Sequence, residues 1–517
     1  MIPFGCGLLL FLVAAACERA NQKKPAATVS LVFASPALTL DPQRHSEDQT
    51  RAILANFFEG LVELDRNLEI RPKLATDWSN PSETVWRFRL RPGVRFHDGH
   101  ILTAEDVRHT IERAKRIDRS SVEPDIRAIV EVRTVDPLTI EFVTDRPRPL
   151  LLARLATAPI LSRFTDDAEI ARPVGTGPFV MREATAAGAT QPPRPAAFAY
   201  LRAQRFDDYW GQKPGYEKLE IRCVAGDEEL AATAATAATV ISPLPSGGLD
   251  ALKTEKGRYR AVRSPTVTIG FLICRLRPMS NGKPSPFADR RVRRALSLAI
   301  DRQSLVERAF GDEAVPAWQL VMPGVHGFDP GLEHPSADPA RARQLLKEAG
   351  FAAGFDAKLL VSPRSLPAGN EIARQLAFLG VRLEVKGSPW PERLTELEGG
   401  NAHLVLGFWS TISGDASGLF EPVLHTRGGP GGFGSENYSG YSSTELDHDI
   451  QAASVEMNPS LRAQSLIRAM RRALEDLPLV PLYAPIWTYG IREGAELSPR
   501  LDAAVLGADV VLVPPGS

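Results

Sequence analysis

Cysteine is scarce in this chain: Cys6, Cys17, Cys223 and Cys274 are all that 517 residues contain. That excludes a disulfide-stapled scaffold, and no histidine stands at ligand spacing from Cys223 or Cys274 to make a metal cluster. An excess of one charge is missing too. The 61 Lys and Arg against 62 Asp and Glu leave −1 overall, which gives no electrostatic case for binding nucleic acid or a strongly anionic partner. Beyond Cys17 no apolar run approaches the roughly 18 residues of a membrane-spanning helix. Gly175-Thr-Gly177 is followed by no Lys-Ser/Thr pair, so it is not a phosphate loop, and no nucleophile-elbow sequence occurs. What remains is ordinary globular material, 44% hydrophobic and 24% charged, in a chain too long for one hydrophobic core.

The apolar run is at the start. Phe4 to Ala16 is too short to span a bilayer but suits the h-region of an export signal, although no Lys or Arg precedes it. Ala14-Ala15-Ala16 followed by Cys17 resembles the bacterial lipobox, in which the thiol is acylated and becomes the mature N-terminus. Residues 1–16 are therefore expected to be a lipoprotein signal, Cys17 the lipidated residue, and 17–27 a polar tether. Cys6 leaves with the signal. Cys223 and Cys274 then form one disulfide or stay as two buried thiols.

Along the rest of the chain, strands and helices interleave, which favours an α/β architecture. Thr28 to Phe33 and Leu138 to Val143 read as strands, and Val85 to Arg91 alternates apolar with basic residues before the turn at Pro92-Gly93. The strand is expected to resume at Val94–Phe96. Gln49 to Leu64 has helical spacing of Ile53, Leu54, Phe57, Phe58 and Leu61. Thr103-Ala-Glu-Asp106 is a capping box that opens a helix to about Arg116. Asp289 and Asp338 cap further helices, and a long one is expected over Ser460 to Leu474. The Ala/Thr-rich stretch Leu230 to Thr239 reads as a helix with few anchors. Arg290, Arg291, Arg293, Arg294 and Arg302 read as the solvated face of an amphipathic helix. Gly99, Gly175 and Gly177 suit turns of positive φ. His97 and His100 sit in a turn with no third ligand in view, so no metal is assigned.

The order of several motifs resembles the extracytoplasmic solute-binding protein family 5 of ABC importers, the oligopeptide- and dipeptide-binding group. They are Leu40-Asp-Pro42, Phe58-Glu-Gly-Leu61, Pro72-Lys-Leu-Ala75, Trp86 to Gly99, Thr103 to Val107, Val174 to Phe179, Asp208-Tyr-Trp210, Phe287 to Leu296, Ala299 to Arg302 and Glu475 to Pro478. The resemblance implies a two-lobed periplasmic-binding-protein fold of class II type that closes on a ligand, with a small α+β domain inserted in the first lobe. Lobe I is expected to combine 28–46, 171–269 and 483–517, the appended domain 47–170, and lobe II 270–482.

In peptide-binding members of that family, an extended ligand pairs with the segment after the Leu-Asp-Pro turn and with a strand of the second lobe. By register these become Ser46, Glu47 and Asp48, and the stretch Gly407 to Thr411 with Trp409 and Ser410. The family carries an acid there for the peptide ammonium; here Thr411 takes that place, and Asp415, Glu47 or Asp48 could substitute. The resemblance implies a monomeric, lipid-anchored extracytoplasmic receptor for a short peptide or other small solute. Its partners would be ABC permease subunits, with no catalytic residue and no cofactor. The alternative is a sensing or chaperone-like lipoprotein on the same fold.

Overall fold

A computed structural model describes residues 27–513, apart from 46, 119, 121, 123–125, 187–196, 225–237, 245–258 and 335. The signal, Cys17 and nearly all of the Ala/Thr-rich stretch lie outside the described residues.

The chain enters on β1 (Thr28–Phe33) and, after the Leu40-Asp-Pro42 turn, forms α1 (Asp48–Leu54). The hairpin β2 (Val62–Leu64) and β3 (Ile70–Pro72) leads into a four-stranded antiparallel sheet in the order β4 (Ala75–Ser82), β5 (Val85–Leu90), β7 (Thr139–Thr144), β6 (Ile129–Asp136). Across that sheet lies α2 (Ala104–Arg116), and Trp86, Phe88, Phe142, Val107 and Ile111 fill the space between them. The amide and hydroxyl of Thr103 both donate to the Asp106 carboxylate, at 2.8 and 3.0 Å, so the start of α2 is fixed locally. A short α3 (Leu151–Leu155) completes the appended domain.

The chain then returns to the β1 sheet through β8 (Phe179–Ala186), β9 (Phe198–Arg205), β10 (Lys218–Cys223) and β11 (Val240–Ser242). It crosses to lobe II by β12 (Tyr259–Pro265) and β13 (Thr268–Cys274). Lobe II adds α4 (Arg290–Ala299), α5 (Arg302–Ala309), β14 (Ala314–Pro316), α6 (Pro339–Glu348), β15 (Phe355–Val361), α7 (Leu366–Ala377), β16 (Val381–Gly387), α8 (Trp390–Gly399) and β17 (Leu404–Ser410). The helices α9 (Thr444–Val455) and α10 (Pro459–Asp476) precede the fourteen-residue β18 (Leu479–Arg492).

This long strand joins the two lobes. Its first half pairs with β13 and β14, as far as Ala314↔Pro485, and its second half pairs with β12 and β11, from Pro265↔Ile486. Among the described residues the path runs β16-β15-β17-β13-β18-β11-β1-β10-β9-β8. The lobes therefore share one ribbon, with crossings at Thr266–Val267 and Pro485–Ile486. Apolar clusters cover both faces of the lobe II half, one holding Ile269, Phe271 and Val405, the other Leu272, Leu404 and Leu406.

Several family motifs prove structural. Buried Glu59 accepts from Thr176, Tyr209 and Trp210 at 2.8 Å each and lies 3.4 Å from Lys73, tying the appended domain to lobe I. Burial would lower the Lys73 ammonium, but Glu59, Tyr209 and Glu63 outweigh it and raise it.

Other expectations need correction. The helix from Gln49 ends at Leu54, because the Asn56 and Phe57 carbonyls accept from Phe179 and Gly177 instead of continuing it, and Val62–Leu64 is a strand. Val94–Phe96 forms no strand beyond the single bridge Arg95↔Ile101. Gly99 does have φ +93, but Gly175 and Gly177 are not left-handed; a Cβ at either would collide with the Phe57 backbone. Arg293 and Arg302 are buried rather than solvated, with their Nε–H groups donating to the Asp476 and Pro481 carbonyls. Cys223 and Cys274 are free thiols on strands of different lobes, and burial pushes both up to about 12.

Candidate functional site

Register decides which ends of the sheet face the hinge. In lobe II, Thr268↔Ser410 sets the end of β17 beside the Thr266–Val267 crossing, and β15 and β16 run parallel to β17. In lobe I, β11 runs antiparallel to β18 with Ile241↔Gly490, and β1 and β10 follow parallel to β11. The carboxyl ends of β1, β10 and β11 therefore point at the hinge from one side, and those of β15, β16 and β17 from the other. Loops leaving such ends are where α/β sheets place ligands.

On the lobe II side, Trp409 is half-buried and belongs to the apolar cluster that includes Val267 and Leu68. Ser410 Oγ lies 2.8 Å from Thr268 Oγ1. The Thr411 amide donates to the Val267 carbonyl at 3.1 Å, while its hydroxyl is buried with no partner among the described residues, at 1% residue exposure. Asp415 is engaged elsewhere. Arg462 Nη2 and Nε reach its carboxylate at 2.8 and 3.2 Å, and the Ser417 amide donates at 2.9 Å. With both oxygens held by a buried arginine, Asp415 organises the 411–415 turn rather than standing free for a ligand ammonium.

On the lobe I side, Ser46 lies outside the described residues. Glu47 and Asp48 are exposed at the start of α1, where Asp48 pairs with Arg51 at 2.9 Å. Neighbouring His45 is pushed down to about 4, chiefly by burial and then by Arg51. A cavity of about 340 Å³ opens beside this segment, lined by His45, Arg51, Glu63, Lys73, Arg500 and Asp509 among others. Its lining comes from lobe I and the appended domain and includes no residue of β15, β16 or β17, so it is not the space at the lobe II strand ends. Burial raises the Asp509 carboxyl there, and Arg500 comes no nearer than 4.0 Å.

The two sides meet at the tip of the β2–β3 hairpin. The Leu501 amide donates to the Arg66 carbonyl at 3.0 Å, and the Val267 amide to the Leu501 carbonyl at 3.2 Å. Leu68, at φ +64, is buried against Gly414 of the lobe II turn. Farther out, Arg154 of α3 pairs with Glu421 at 3.1 Å, and the Arg146 guanidinium lies 5.8 Å from the Phe433 ring. These contacts join the appended domain to lobe II. The Gly428–Gly434 stretch folds on the same seam, with the Gly434 amide donating to the Glu421 carbonyl.

His97 and His100 bind protein groups. His97 contacts the Gly177 carbonyl at 3.0 Å, and His100 contacts Asp98 and Asp106 at 2.7 and 3.2 Å. Among the described residues no helix is long and apolar enough to cross a membrane.

Comparison with known proteins agrees with this geometry. The glutathione-binding protein GsiB of Salmonella typhimurium is 27% identical over 473 residues, covering 88% of each chain. Among solved structures, the substrate-binding protein CtaP of Listeria monocytogenes superposes with TM-score 0.81 at 18% identity, covering 95% of this chain and 100% of that one. The periplasmic binding protein DppA of Helicobacter pylori, in complex with the peptide STSA, gives 0.73 at 20%, covering 94% and 98%. The model of the bacterial extracellular solute-binding proteins, family 5, matches residues 69–431, and the chain belongs to that family.

Proposed function

We propose that this protein captures a short peptide or peptide-like solute between its lobes and hands it to an ABC permease, held outside the cytoplasm by lipid on Cys17. Solute binding in the service of import is the work of its family; the peptide character of the solute is our reading. The observation that carries it is the convergence of strand carboxyl ends from both lobes on a hinge of two crossings. There an extended ligand can pair with backbone groups while its side chains face the surrounding loops. The glutathione- and peptide-binding relatives support the same class of ligand.

Ser46, Glu47 and Asp48 would contact the solute from lobe I, and Trp409, Ser410 and Thr411 from lobe II. With Asp415 held by Arg462, no acid from the lobe II turn is left for a ligand ammonium, so the reading favours solutes whose amine is masked or directed elsewhere. The protein would act as a monomer.

Calorimetric titration with glutathione and a di- and tripeptide library tests the ligand class. Micromolar binding of one member supports it, and binding of sugars or metal chelates with indifference to all peptides overturns it. Membrane fractionation of a Cys17→Ser variant tests the anchor, with release into the soluble fraction expected.

A further inference from the structure

Six arginines in the described residues are less than a tenth exposed: Arg113, Arg275, Arg293, Arg302, Arg393 and Arg462. Five are fully accounted for at Nε. Arg113, Arg275, Arg293 and Arg302 donate it to the carbonyls of Asp166, Pro278, Asp476 and Pro481, and Arg462 to the Asp415 carboxylate. Arg393 is the exception. Its Nη1 donates to the Leu406 carbonyl at 2.6 Å, but among the described residues its buried Nε has no partner; like Arg275, Arg293 and Arg302 it pairs with no described carboxylate. Burial lowers its pKa with no acid to oppose it. At 6% exposure, with the guanidinium 4.9 Å from the Trp390 ring centroid, this is a desolvated cation lacking a counter-charge. Such a group is costly in a protein that binds nothing there.

Its position gives the cost a purpose. Arg393 is on the first turn of α8, just after β16 ends at Gly387, and it reaches across to β17 four residues before that strand's last, Ser410. It therefore lies at the level where β15 and β16 end, part-way along β17, on the lobe II side of the hinge. A second unsatisfied polar atom is near it in sequence: Ser388 Oγ, on the β16–α8 connection, is buried at 3% exposure with no partner among the described residues. The start of α8 adds the positive end of a helix dipole.

We propose that Arg393, with Ser388, is an anion subsite on the lobe II wall, and that the solute presents a carboxylate to it. This rests on the peptide-binding reading above and deepens it. A guanidinium with a free Nε–H is suited to a planar carboxylate. The net charge of the solute need not be negative, since one local anion suffices.

The test uses full-length protein and a defined tripeptide library, each member with a free or an amidated carboxyl end, read by calorimetry. Wild type is expected to bind the free acids at least about tenfold tighter than the amides. Arg393→Gln should abolish that difference, and Arg393→Lys should keep part of it. Ser388→Ala should narrow it. If Arg393→Gln does not fold, the lysine variant and Ser388→Ala carry the test. Full preference retained in Arg393→Gln, or equal weakening of acids and amides with a lowered Tm, overturns the subsite and leaves the peptide reading standing. Failure of wild type to bind either set overturns both.

Discussion

The Arg154 guanidinium of the appended domain stands 3.1 Å from the Glu421 carboxylate of lobe II, outside the hinge. Burial raises the Glu421 carboxyl, and Arg154 is the first charge that counters this. A lobe opening that parts the appended domain from lobe II would separate the pair. Arg154→Ala is therefore expected to shift the ligand-free protein toward an open form and weaken solute binding by about fivefold. Small-angle scattering and titration check this. The reversed pair Arg154→Glu with Glu421→Arg should recover most of the loss.

Asp415 and Arg462 lead to a different expectation, because their side chains are only 6% and 7% exposed. Asp415→Ala leaves a buried arginine without its acid and should cost about 3–5 kcal/mol of stability. Urea denaturation measures it. Loss of binding with unchanged stability would instead make Asp415 a ligand contact.

Thr411 offers a sharper test of the crevice. Its buried hydroxyl has no partner among the described residues, which costs the ligand-free protein about 1–3 kcal/mol. Thr411→Val should therefore raise the Tm of the ligand-free protein while weakening solute binding, if the hydroxyl is kept for the solute. A change in Tm alone would mean that the hydroxyl meets nothing.

His45 gives a pH dependence whose sign follows from its depressed value. Its folded value of about 4 lies below the ordinary 6.5, so the folded state holds fewer protons on this ring than the unfolded state. Its contribution is complete above pH 6.5 and is lost as pH falls toward 4, by about 3 kcal/mol at most. His45→Gln should flatten the stability curve across that window, as read by denaturant titration at a series of pH values.

Local chemistry made much of the fold legible. β1 spans Thr28–Phe33, as its alternation indicates, and Thr103, Asp289 and Asp338 each sit just ahead of a helix because capping depends on neighbours within a turn. The misread helix after Gln49 shows the limit. Its apolar spacing continues to Leu61, but Gly177 and Phe179, more than 100 residues away, take its carbonyls. The site was less legible for the same reason. Asp415 looks free in sequence because Arg462 is 47 residues away, and no motif in the sequence singles out Arg393. Only the register of β15, β16 and β17 shows that its helix begins at the crevice.

Hydrogen–deuterium exchange across the whole chain, with and without a saturating tripeptide mixture, tests the central claim most directly. The account predicts simultaneous protection of residues 45–48 in lobe I, the 411–415 turn in lobe II and the crossings at Thr266–Val267 and Pro485–Ile486. Protection confined to one lobe, or to the cavity walls around Lys73 and Asp509, would contradict it.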